Sequence, residues 1–145
     1  MSRSLILSVS AGTGCYRHIQ ISESATLLEL SSAILDSVDF MDGHLHSFFM
    51  NNSAWDRGSE YACPRCELDG ARGHTDKVKL SKFKLSKGDR FKYIFDYGDD
   101  WRFQIKVLRV IGEPTKTPLV LKSVGSISQY SDEDDDWGDV SDGDF

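Results

Sequence analysis

The sharpest chemical signal in this 145-residue chain is Cys63-Pro64-Arg65-Cys66. Two cysteines separated by two residues let both thiolates point at one tetrahedral centre, which is the spacing of a zinc knuckle. A complete site needs four ligands. His74 is the candidate third, and Cys15, His44 or His46 is the candidate fourth through space. A bound zinc would also order the long segment 51–76, whose Asn51-Asn52-Ser53, Gly58, Pro64, Gly70 and Gly73 read as a loop without period. Two other readings compete: a pair of inert loop thiols, and a dithiol redox centre. The redox reading is the weakest, because such pairs normally open a helix whose dipole lowers a thiol pKa. Pro64 and the Gly-rich flank do not read as a helix.

Two further constellations bear chemistry. His44 and His46 stand two apart, so a strand would put both on one face, where they could share a metal or form a half-buried pair. Asp96, Asp99 and Asp100 surround Gly98 beside Tyr97, Trp101 and Arg102. They read either as a carboxylate cluster for metal or acid–base work or as the caps of a hairpin turn, with Gly98 supplying a positive φ. With His44 and His46 these carboxylates define a candidate metal-dependent hydrolase; with Arg102 and Trp101 they define a candidate binding surface. The segment 77–92 is basic through Lys77, Lys79, Lys82, Lys84, Lys87, Arg90 and Lys92, with Phe83 and Phe91 interleaved. It is a candidate for weak nucleic-acid binding, or a solvated face. No Gly-rich phosphate loop sits between strand and helix, and no Gly-x-Ser-x-Gly elbow or His-Glu-x-x-His pair occurs.

The elements that must position these residues follow from periodicity. Leu5, Leu7 and Val9 alternate with serines, and Arg17, Ile19 and Ile21 alternate with His18 and Gln20, giving a hairpin around a Gly-rich turn. Thr26 and Glu29 form a capping box for a helix whose Leu27, Leu30, Ile34, Leu35 and Val38 share one face, with Asp42-Gly43 as the stop. His44–Met50 reads as a strand. Phe91, Tyr93 and Phe95 and then Phe103, Ile105 and Val107 give a second hairpin, whose phase slips at Leu108 as a β-bulge requires. Ser86-Lys87-Gly88-Asp89 reads as a turn, and Leu119–Leu121 as a last edge strand. The expected class is α+β: a mostly antiparallel sheet with one main packed helix, in a β-grasp-like order of hairpin, helix, strand, loop and hairpin.

His44-Leu45-His46-Ser47-Phe48, the run Tyr93-Ile94-Phe95-Asp96-Tyr97-Gly98-Asp99-Asp100-Trp101-Arg102-Phe103, and Val120–Gly125 together resemble the plasmid Ri ORF-three-like family over roughly residues 3–137. Members of that family are also described as transposon passenger proteins. The resemblance implies a small α+β domain associated with mobile elements, with no settled activity. Many members carry His where this chain has Phe103, and many end in a Pro- and Gly-rich acidic segment where this chain has a plain acidic tail.

The formal charge of −6 conceals a division. Residues 131–145 hold eight acids and no base, which leaves 17 basic against 15 acidic residues in 1–130. The expected organisation is therefore a nearly neutral domain, 1–130, followed by an acidic tail, 131–145, disordered when free, which reads as a solubilising tail, as a docking segment with Trp137, Val140 and Phe145 as spaced anchors, or as a mask folded back on Lys77–Lys92. No apolar run is long enough to cross a bilayer and no secretory leader is evident, which favours the cytoplasm. The leading expectation is a binding or adaptor domain for a protein partner, without evident catalytic activity. Oligomeric state is not legible in the sequence.

Overall fold

A computed structural model describes residues 3–129, apart from Thr13 and Asp69. The acidic segment 131–145 lies outside the described residues. Eight strands and one helix follow in the order β1 (Ser4–Ser10), β2 (Tyr16–Ser22), α1 (Leu27–Ser37), β3 (His46–Phe49), β4 (Glu60–Ala62), β5 (Gly73–His74), β6 (Arg90–Phe95), β7 (Trp101–Ile111) and β8 (Leu119–Val124). They form one sheet in the order β5-β4-β3-β6-β7-β1-β2-β8. Every pairing is antiparallel except β4 with β5.

The helix begins as its capping box dictates. Thr26 is extended; its hydroxyl accepts from the Glu29 amide at 3.1 Å and the Glu29 carboxylate accepts from the Thr26 amide at 2.8 Å. The stop comes earlier than Asp42-Gly43: the chain leaves the helix at Val38, and Asp39 takes a left-handed φ of 61° that redirects it. Leu27, Leu30, Ile34 and Leu35 are buried against one sheet face, which presents Leu7, Ile19, Phe48, Phe91, Tyr93, Phe95, Phe103 and Ile105. Tyr93 is the one large polar side chain among these rings, and Ser31 of the helix meets its hydroxyl at 2.5 Å. Burial of that phenol raises its pKa, so the group stays neutral.

On the opposite face Ser4 and Ile6 of β1 are buried, and a loop ring covers β3 and β6. There Trp55 stacks edge-on against Phe49 and Tyr97, with ring centres 5.3 and 5.0 Å apart. Phe49 and Ile94, fully buried, sit beneath that cover. The phase slip at Leu108 is a bulge: Val107 faces Leu7 while Arg109 faces Ile6. The Ser86–Asp89 turn is also present, closed by the Asp89 amide on the Ser86 carbonyl at 3.0 Å.

Two expectations change. The segment 51–76 is not a structureless loop; it supplies β4 and β5, which widen the sheet beyond β3. Glu60 opens β4 and is buried, a placement that hydropathy reads as loop and that only its partners make tolerable. The pairing does not identify a β-grasp-like arrangement; what holds is the coarser class, one helix on a mostly antiparallel sheet.

Because Ile34 is fully buried between helix and sheet, Ile34→Ala is expected to cost about 2–5 kcal/mol in urea unfolding. Thr26→Ala, which removes one cap, is expected to cost about 1 kcal/mol. The midpoint should fall in both with the slope unchanged; an Ile34→Ala loss no larger than the cap variant's would contradict the packing described.

Candidate functional site

The end of the sheet formed by the β6–β7 turn, the approach to β3 and the exit of β4 gathers most of the chemistry-bearing side chains. The turn is built by aspartates rather than by glycine. Asp96 and Asp100 take the left-handed conformation (φ 63° and 58°), which Asp tolerates better than most residues, and Gly98 does not. The Asp96 amide donates to Leu45 O and the Asp100 amide to Asp96 O, so the turn is pinned to the strand beside it. The Asp96 carboxylate lies 3.6 Å from His44 Nε2, and Arg65 Nη2 donates to the His44 carbonyl at 3.2 Å. With Gly43, Leu45, Tyr97 and Gly98 these residues line a shallow depression of about 320 Å³. Arg102 closes on Asp100 at 3.0 Å, while Asp99 is exposed. Trp101 is turned inward: its ring packs edge-on to Phe40 at 5.0 Å and its indole donates to Gln129 O.

Beside the depression runs a polar chain that starts at half-exposed Arg57 and is buried at Glu60 and Ser47. Arg57 Nη1 pairs with Glu60 Oε1 at 2.9 Å, and Ser47 Oγ donates to Glu60 Oε2 at 2.6 Å. The Tyr97 hydroxyl carries one proton and has two acceptors, Ser47 Oγ at 2.5 Å and His46 O at 3.0 Å. Its pKa is raised by burial, so it remains a donor. Cys66 Sγ lies 3.6 Å from the same hydroxyl and 2.7 Å from Cys63 Sγ; burial, and then Cys63 beside it, push the Cys66 thiol up. None of Arg57, Glu60 or Thr75 stood out in the sequence, and Ser47 entered only within the His44–Phe48 run. The only available signal was the Arg57–Glu60 spacing, which one turn of 3-10 helix brings together.

The two histidines part company. His44 is half-exposed and precedes β3. His46 is buried, its Nε2 is 2.9 Å from Thr75 Oγ1, and its ring lies 5.9 Å from that of Tyr93. Burial, helped by the positive charge of Arg65, lowers its pKa from 6.5 to about 4. His46 is thus neutral at ordinary pH and faces the core, away from the Asp96–His44 pair.

The expected metal ligands are only partly brought together. Cys63 and Cys66 meet, but His74 turns its Nε2 to the Cys66 carbonyl at 2.9 Å. Cys15 precedes β2, with four strands between β2 and β4, and lies beside Arg17. Among the described residues no three His, Cys, Asp or Glu side chains converge as a metal-binding group. Two thiolates on one tetrahedral zinc would stand about 3.8 Å apart, given a Zn–S bond of about 2.3 Å, so zinc binding requires the pair to open.

The basic segment follows two 3-10 turns, Thr75–Lys77 and Leu80–Phe83, and the start of β6. Lys77, Lys79, Lys82, Lys84, Lys87 and Arg90 are exposed, whereas Lys92 reaches Asn52 and Gln104. The interleaved rings are not on offer: Phe91 is in the core and Phe83 packs on Tyr61 at 5.3 Å. No described helix is long and apolar enough to cross a membrane.

A single helix laid across a wide, mostly antiparallel sheet, with an Asp-rich turn beside a His-x-His strand, defines a small α+β domain. The chain belongs to the plasmid pRiA4b ORF-3-like protein family, whose model matches residues 9–135. Among solved structures it is similar to a protein of unknown function, MM3350, from Methanosarcina mazei Go1. That likeness has 25% sequence identity and a TM-score of 0.65, over 85% of this chain and 70% of the other. The comparison with curated proteins gives no match.

Two outcomes are expected of this site. An unfolded imidazole takes up a proton near pH 6.5, whereas folded His46 does so only near 4. Stability should therefore be flat above pH 6.5 and fall between 6.5 and 4, by about 3 kcal/mol in total for this group. The difference between wild type and His46→Gln across that window, measured by urea unfolding, isolates the effect. Protein purified without chelator and its Cys63→Ser variant are expected to carry equal, substoichiometric zinc by elemental analysis. One zinc per chain, lost in the variant, would show that the pair opens into a four-ligand clip.

Proposed function

We propose that the chain is a binding or adaptor domain with no catalytic role of its own. It engages a protein partner through the sheet end formed by Asp96, Tyr97, Asp99, Asp100, Arg102, His44 and Arg65. One observation carries this reading. The side chains capable of chemistry are engaged with one another or with backbone: His46 with Thr75, Tyr97 with Ser47 and the His46 carbonyl, Glu60 with Arg57. What reaches the surface is a shallow, mixed-charge depression, which suits recognition better than the enclosure of a small substrate. Trp101 serves by holding the turn on Phe40 rather than by meeting the partner. The family's plasmid-borne namesake supports an association with mobile elements.

The hydrolase reading retains one supporting observation, the His44–Asp96 pair. It would have to work as a dyad without His46. The test separates the two readings. A photo-crosslinking residue at position 99 is expected to trap a discrete protein adduct in cells that Arg65→Glu abolishes, while one at exposed Glu113, beyond β7, traps none. Turnover of phosphate or carboxylate esters with added divalent metal is expected to be absent. Metal-dependent turnover lost in Asp96→Asn would overturn the proposal, as would identical adduct patterns at both positions.

A further inference from the structure

The half of the sheet that Trp55 leaves uncovered has a chemistry of its own. Strand register places Arg90, Lys106, Ser8, His18 and Lys122 side by side in one row across β6, β7, β1, β2 and β8. Four inter-strand gaps make that row about 19 Å long. The row on one side carries Lys92, Gln104, Ser10 and Tyr16; the row on the other carries Arg109, Ile6 and Gln20, of which Ile6 is buried. Side chains of directly paired residues share a face, so these rows form one surface, and none of them contains a carboxylate. Arg90, Lys106, Arg109 and Lys122 are exposed on it. Two acids that flank these strands in the chain are engaged elsewhere: Asp100 pairs with Arg102, and Asp89 accepts from the Ser86 amide at 2.9 Å. Beyond Glu60, which is buried on β4, the part of this face that runs from β6 to β8 is therefore free of carboxylates.

Two rings complete the surface. Tyr16 and His18 are partly exposed neighbours on the same face of β2, with ring centres 5.3 Å apart, and Lys122 Nζ stands 5.7 Å from the Tyr16 ring. Small serines lie between the cations of β7 and the rings of β2, so the seat is low and flat. Cations alone would suit any polyanion. Cations flanking exposed rings on a flat sheet suit a backbone that carries both phosphates and unstacked bases. A duplex buries its base faces and is read by elements that enter its grooves, which a flat sheet face does not supply.

We infer that the uncovered face of β6-β7-β1-β2-β8 is a single-stranded nucleic-acid binding platform, with Arg90, Lys106, Arg109 and Lys122 on the phosphates and Tyr16 and His18 stacking on bases. It is separate from the sheet end assigned to a protein partner and from the lysines of the 3-10 turns, so either assignment stands or falls alone.

Fluorescence anisotropy of a labelled oligothymidylate with the full chain tests it. Affinity should fall steeply as salt rises. Lys106→Glu/Lys122→Glu, and the milder Lys106→Gln/Lys122→Gln, should weaken binding about tenfold or more, and Tyr16→Ala roughly fivefold or more at fixed salt. Lys79→Glu/Lys82→Glu, off the platform, should bind as wild type. Thermal midpoints taken alongside identify any variant that fails to fold. The inference is overturned if wild type does not bind at low salt, if the folded platform variants bind unchanged, or if the off-platform variant loses as much. Equal affinity for a duplex of the same sequence overturns it too, as does displacement by polyglutamate together with an inert Tyr16→Ala, which would assign the face to an acidic protein.

Discussion

A sheet face made largely of aromatic rings must be kept from water, and α1 is what keeps it so. Phe48, Phe91, Tyr93, Phe95 and Phe103 lie on that face, and the apolar stripe of the helix is buried against the same cluster. Rings of this size dominate the apolar area available to a domain of this length. The contact is also a register lock. Tyr93 brings a hydroxyl into the packed layer, and it is tolerable there because Ser31 faces it. The helix start is fixed at the same time by its capping box and by the Leu27 amide on the Val78 carbonyl. With one face committed to cohesion, the other is lightly covered and free to differ in chemistry.

The polar chain at the sheet end obeys a different rule. A carboxylate as buried as that of Glu60 is costly unless it is paired; Ser47 donates to one oxygen, and the other, which has no hydrogen bond, is held by the charge of Arg57 2.9 Å away. That in turn fixes Tyr97, and Tyr97 fixes both Trp55 above it and Cys66 beside it. The cysteine pair is thereby tied to the cover of the second sheet face, so its state bears on more than its own loop.

Much of the fold was legible because its signals are periodic and local. The alternation in β1, β2, β6 and β7, the helical stripe, the capping box and the slip at Leu108 each act over a few residues. What was not legible depends on partners distant in the chain. β4 is three residues long and opens with a charge, so it reads as loop until Ser47 and Arg57 are beside it. The site residues were found by type, but their roles were set by burial: His46 and His44 look equivalent two apart, and one faces Tyr93 while the other meets Asp96. The basic run 77–92 drew attention because it is contiguous. The cationic row on the sheet draws one residue from each of several strands, so no window of sequence shows it.

The place of β1 has a consequence for how the molecule is made. It lies between β2 and β7, with Ser4 opposite Ile111. Of these eight strands β1 is translated before the others and finds its hairpin neighbour at once, but its other edge stays open until β7 has been translated. During that interval Leu5, Leu7 and Val9 have neither their full ladder nor an assured helix cover. Closing a loop of roughly a hundred residues delays the final pairing, and an open apolar edge in a nascent chain invites association with its neighbours on the same message. Yield of folded protein should thus depend on elongation rate and on chaperone capacity as much as on the stability of the finished fold.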